Sequence, residues 1–100
     1  MEKGTPHYKL TDIQAEVQRL GVNALTWTAL QNASKFGMSG PDVCAAVCSM
    51  TRQMFFKSMT THADYRVWQD VYHVPCPNGK VAYVKLTLQE GAVVIQFKEK

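Results

Sequence analysis

No run of eighteen apolar residues occurs in this 100-residue chain, so none of its segments is long enough to span a bilayer as a helix. The opening Met1, Glu2, Lys3, Gly4, Thr5, Pro6 lacks the apolar stretch that a secretory signal requires, and the expectation is a cytoplasmic protein with no membrane contact. Cysteine is scarce and odd in number: Cys44, Cys48 and Cys76 show no framework spacing, which argues against a disulfide scaffold and fits reduced thiols. Cys44 and Cys48 can share one side of a helix, but two ligands are too few for a structural zinc site, so core packing is their reading and no metal or cofactor is expected. Charged residues are only 19% of the chain against 46% hydrophobic, which is the composition of a folded globule and not of a disordered tail. Two cores of fifty residues would each be too small to offset chain entropy, so residues 1–100 are expected to form one domain.

The net charge of +3 is small, yet it is unevenly placed. Residues 1–50 carry four basic side chains (Lys3, Lys9, Arg19, Lys35) and four acidic ones (Glu2, Asp12, Glu16, Asp42), which cancel. Residues 51–100 carry seven basic side chains (Arg52, Lys57, Arg66, Lys80, Lys85, Lys98, Lys100) against Asp64, Asp70, Glu90 and Glu99, so the whole excess lies there. A polyanion, if the protein meets one, is expected at the second half.

The two halves differ in period. Thr11 followed by Gln14 reads as a capping box, Ile13, Val17 and Leu20 form a stripe, and Gly21 is a stop, which predicts a helix over 12–20. A second helix is expected from Thr26 to Phe36, closed by Gly37. A third begins near Pro41 and carries Val43, Val47 and Met50. All are too short to persist alone and need a surface to pack on. From residue 54 onward the period becomes two, rich in β-branched and aromatic residues, and predicts strands at about 54–59, 65–72, 81–88 and 92–98. Turns are expected at Asn78–Gly79 and Glu90–Gly91, so the last three strands pair as an antiparallel meander. Helices first and strands second give an α+β fold with the helices on one face of the sheet. Alternation assigns Ala82, Val84, Leu86, Leu88, Val93, Ile95 and Phe97 to the core face. Tyr83, Lys85, Thr87, Gln96 and Lys98 then share the opposite face, where amines, a phenol and amides can hold a phosphate backbone or stack a base.

Two motifs are more specific than any period: Phe55, Phe56, Lys57, Ser58, Met59, Thr60, Thr61, and shortly after them Trp68, Gln69, Asp70, Val71, Tyr72. With the opening Met1, Glu2, Lys3, Thr5, Pro6, His7, the Gly79–Lys85 segment containing Tyr83, and the closing Phe97, Lys98, Glu99, Lys100, they resemble the signature of the MqsR toxin family along the whole chain. The resemblance implies a RelE-like fold and a metal-independent, ribosome-independent endoribonuclease that cuts messenger RNA at short GC-containing sites. It also implies a partner, a zinc-binding helix-turn-helix antitoxin of the MqsA kind. The family's functional positions fall on Lys57, Gln69, Tyr83 and Lys98, which become the expected catalytic residues. Lys85, Gln96, Phe56, His62 and His7 are the expected substrate-binding residues. Three positions depart from the family pattern: Phe56 stands where a tyrosine is common, His62 stands where a tyrosine follows the paired threonines, and the hairpin before Tyr83 carries an extra residue near Pro77 and Ala82.

Cutting RNA without a metal requires the ribose 2′-hydroxyl to attack the neighbouring phosphate, so the site must take one proton, offset charge on phosphorus and protonate the leaving oxygen. Lys57 and Lys98, if adjacent, are expected to disfavour each other's charge, one then serving as base while the other stabilises the phosphorane. Tyr83 can supply a proton or bind phosphate, and Gln69 can orient the nucleotide. His7, His62 and His73 offer alternative proton carriers. The competing reading is a module of the same fold that captures RNA or an antitoxin without cutting. A DNA-binding regulator is disfavoured because no helix concentrates basic residues.

Overall fold

Three amphipathic helices form where the apolar stripes stand: α1 (Leu10–Leu20), α2 (Trp27–Phe36) and α3 (Gly40–Ser49). The computed structural model describes residues 1–89 and 92–100, so the turn expected at Glu90–Gly91 lies outside the described residues. α2 and α3 are capped at their starts by local side chains. Thr26 caps α2 by accepting from the Ala29 amide, and Gly37 ends it in the left-handed region at φ 89°, where a side chain would be strained. Ser39 and Asp42 form a reciprocal capping box at the start of α3, with Pro41 in its first turn. The capping box expected from Thr11 and Gln14 does not form, because α1 begins two residues earlier with Lys9 at its cap and no side-chain bond there. Gln14 instead turns its amide to the other end of α3, donating toward the carbonyls of Val47, Cys48 and Met50. It thereby satisfies acceptors that the helix terminus leaves open.

The sheet is antiparallel, five strands in the order β1 (Glu2–Lys3), β2 (Phe55–Thr60), β3 (Trp68–Pro75), β4 (Val81–Gln89) and β5 (Ala92–Glu99). The α+β arrangement, with helices N-terminal and sheet C-terminal, is the expected one. β1 was not expected, since two residues carry no period. β3 begins at Trp68 and not at Tyr65, because residues 61–67 close on themselves: the Thr61 hydroxyl bonds to the Asp64 carbonyl and amide, and Asp64 pairs with Arg66. The hairpin at Asn78–Gly79 forms as read, with Gly79 at φ 81° and the Asn78 amide donating to the carbonyl of Phe36 at the end of α2.

Val84, Leu86, Ile95 and Phe97 meet Ile13, Val17, Ala33, Val43 and Val47 in one buried cluster, so the helices cover the face that alternation assigned to them. Burial of this apolar surface is the main stabilising contribution. α2 also runs along the outer edge of β5, where the Thr26 amide and the Asn32 side chain donate to the carbonyls of Ile95 and Phe97. That edge is therefore closed to strand addition. Among the described residues no helix is long and apolar enough to cross a membrane.

Candidate active site

A break in the alternation of β2 decides what the uncovered face of the sheet contains. Phe55 pairs with Tyr72 and Lys57 with Val71, so Phe56 is an extra residue, a β-bulge. Strict alternation would put Lys57 on the same side as Phe55, which packs edge-on against Tyr72 toward the core. The bulge turns Lys57 to the open face and leaves Phe56, 50% exposed, stacked at 4.3 Å on His73.

Cross-strand rows then bring the expected residues together. Lys57, Val71, Lys85 and Gln96 lie side by side across β2 to β5, and the next row holds His73, Tyr83 and Lys98. The Lys98 ammonium stands 4.9 Å from the centre of the Tyr83 ring. Gln69 faces Met59 one row further along. Lys57, Gln69, Tyr83 and Lys98 thus share one face with Lys85, Gln96 and Phe56. His62, in the loop after β2, lines the rim of that face in a cleft with Gln69, Lys85 and Gln96.

His7 is not brought there. Its ring stacks at 5.2 Å on Trp68, which belongs to the core-side row of β3, and its Nδ1 accepts from the Lys3 ammonium at 2.9 Å. The backbone amides of His7 and Tyr8 donate to the buried Asp70 carboxylate, fastening this segment to the far face of the sheet. His7 thus stands apart from the other expected substrate-binding residues.

Electrostatics differ from the expected lysine pair as well. The Lys57 ammonium donates to Glu2 at 2.5 Å, and this bond, with the carboxylate charge, holds its pKa above the ordinary lysine value. Glu2 is correspondingly lowered. The amine whose charge is disfavoured is Lys85: burial first, then the charges of Lys98 and Lys57 on either side, push its pKa down. Lys57 therefore holds its proton more firmly than an ordinary lysine, and Lys85 less firmly.

Two residues outside the expected set belong to this face. Glu2 arrives on β1 beside Met59, and no periodicity announces a two-residue strand. His73 lies between the rings of Phe56 and Tyr83, its pKa lowered by burial and by Lys100. Its signal was present, since Gln69, Val71 and His73 alternate along one side of β3.

Among the described residues, this face carries a pair of clefts that share lining residues. One, about 390 Å³, lies between α2 and the sheet and is lined by Thr26, Thr28 and Asn32 with Tyr83, Lys85, Gln96 and Lys98. The other, about 470 Å³, lies beside residues 59–63 with Gln69, Lys85 and Gln96. A larger concavity of about 630 Å³, between α3 and the β3–β4 turn, contains Asp42 and no cation, so it offers nothing to a phosphate. Among the described residues no group of three His, Cys, Asp or Glu side chains gathers to hold a metal ion.

The family described as "Motility quorum-sensing regulator, toxin of MqsA" matches residues 5–99 of this chain. A curated relative, the mRNA interferase toxin MqsR of Escherichia coli (strain K12), is 37% identical over 100 residues, covering the full length of both proteins.

Proposed function

The chain belongs to the MqsR toxin family, and we propose that it acts on single-stranded messenger RNA laid across the uncovered face of its sheet, as the endoribonuclease toxin of a toxin–antitoxin pair. What supports this site is one observation: Lys57, Gln69, Tyr83 and Lys98 share the face opposite the helices, in adjoining rows with Lys85 and Gln96.

Roles follow from the surroundings. Lys57, kept charged by Glu2, offsets the negative charge that develops on phosphorus. Lys85, whose ammonium is disfavoured, takes the 2′-hydroxyl proton; the oxygen then bonds to phosphorus, and the 5′-oxygen bond breaks to leave a 2′,3′-cyclic phosphate. Tyr83, with Lys98 beside it, donates the proton that the departing 5′-oxygen needs. Gln69 orients the nucleotide from the neighbouring row. These side chains can supply each step from their own acids, bases and charges, which supports a reaction without a metal; that it needs no ribosome and falls at short GC-containing sites is proposed on the resemblance to the family alone.

The experiment is cleavage of a defined single-stranded RNA by purified protein in excess chelator. Fragments ending in cyclic phosphate are expected, and intact RNA that nonetheless binds would replace the enzyme with a capture module. Lys57→Ala, Gln69→Ala, Tyr83→Phe and Lys98→Ala should each cost on the order of 10²-fold in rate. The restraining partner is proposed to be a zinc-binding helix-turn-helix antitoxin in the same cytoplasm. Co-purification of the two gene products, with zinc measured in the complex and none in this chain alone, tests that.

A further inference from the structure

Both clefts on the open face end at the same pair of side chains. Lys85 and Gln96 are direct neighbours across β4 and β5, and each lines the α2 cleft as well as the loop cleft. They form a saddle between two concavities. A flexible polyanion lying from one cleft to the other must carry a phosphate over that saddle, where Lys85 is flanked by the charges of Lys57 and Lys98. The nucleotides on either side of that phosphate are left facing the two clefts.

We propose that the clefts are two nucleotide subsites, one on each side of the cut: α2, through Thr28, reads the base on one side, and the loop after β2, through His62, reads the base on the other. The proposal rests on the endoribonuclease reading and adds where the bases sit. Each volume, about 390 Å³ and about 470 Å³, lies in the range of small-ligand sites. The walls differ in chemistry, as two independent readers must. The α2 cleft offers the exposed Thr28 hydroxyl and the Gln96 amide, since the Asn32 amide is already engaged by the Phe97 carbonyl. The loop cleft offers the exposed His62 ring, a stacking surface, beside the Gln69 amide. Unpaired bases are read in this way, by stacking and by hydrogen bonds to their edges.

The test uses a pool of single-stranded RNA with a randomised centre, cut by the full-length protein, with both new ends sequenced. Thr28→Glu places a charge in the first turn of α2, where a carboxylate suits the helix, so the fold should be kept while the cleft repels nucleotide. His62→Glu does the same at an exposed loop. Each variant should raise KM about fivefold or more through like-charge repulsion. Each should flatten base preference on one side of the cut only, the two variants on opposite sides, with kcat within about twofold of the parent. Thr28→Ala and His62→Ala should move the same sides by less, which guards against a variant that merely misfolds. A parent that cuts while all four variants keep its preferences, or flatten the same side, overturns the subsites and leaves the enzyme standing. A parent that cuts no RNA overturns the enzyme itself.

Discussion

Within the run from Trp68 to Tyr72, neighbouring residues face opposite ways and do different work. Gln69 points to the open face, while Asp70 is buried on the other side. Its carboxylate accepts from the amides of His7 and Tyr8 at 3.0 Å and 2.9 Å and from the Ser58 hydroxyl at 2.6 Å. Asp70→Ala strands three donors, and a loss of about 3 kcal/mol or more in unfolding free energy is expected by urea titration. The activity of the remaining folded fraction should change little, which separates this residue from Gln69. Tyr72 is the opposite case. Its hydroxyl is buried without a hydrogen-bond partner among the described residues, so Tyr72→Phe should leave stability unchanged or raise it by about 1 kcal/mol. A large loss there would mean that the hydroxyl has a partner after all. Lys85 is judged by a different exchange. Arginine keeps the charge but cannot give up its proton, so Lys85→Arg should retain RNA binding while the cleavage rate falls about 10²-fold. Parental rates in Lys85→Arg would reduce Lys85 to a phosphate contact.

Elements whose stripes or alternation run for several residues were legible: the three helices, the strands from β2 to β5 and the split of β4 and β5 into two faces all follow from period. What was hidden was local and short. The bulge at Phe56 could not be read, because either of two adjacent phenylalanines could have faced the core, and only pairing with Tyr72 and Val71 decides that Lys57 turns outward. β1 could not be read, because its two residues are ordered by β2 and not by any pattern of their own. The members of the candidate site were named from motifs, and the pairing of the strands sets Lys57, Gln69, Tyr83 and Lys98 on one face; the electrostatics there were not legible, since the carboxylate paired with Lys57 lies 55 positions away in the chain. β1 thus has a function out of proportion to its length: it delivers Glu2. Removing that charge by Glu2→Gln lets the Lys57 pKa fall, because an amide oxygen that still accepts from the ammonium no longer carries the carboxylate charge that raises it. The alkaline limb of the rate–pH profile, where Lys57 must stay charged, should therefore move to lower pH. If the limb does not move in Glu2→Gln, the ion pair has no hold on the reaction.

Over the whole molecule, the shifted groups confine stability to a window of pH. His7 and His73 have folded pKa values below the ordinary one near 6.5, both chiefly through burial, with Lys3 adding to the first and Lys100 to the second. As pH falls through that ordinary value the unfolded chain takes up protons that the folded chain resists, so unfolding is favoured and stability declines. Further down, Glu2, Asp42 and Asp64 have lowered folded values, and what they contribute at neutral pH is lost as pH drops through those values. On the alkaline side the signs reverse. Burial raises Cys44, Cys48, Cys76, Tyr8 and Tyr72, so above their ordinary values the unfolded chain releases protons first and is again favoured. The urea midpoint, measured with thiols kept reduced, should accordingly peak between about pH 7 and 8 and fall on both sides. His73→Gln cannot titrate, so its midpoint should decline less steeply than the parent's from pH 7.5 to 5.5, with the remaining slope due to His7. A parental midpoint that is flat across that interval would mean that neither imidazole is withheld from protons by the fold. The crevice between Phe56 and Tyr83 would then be wetter than its packing implies.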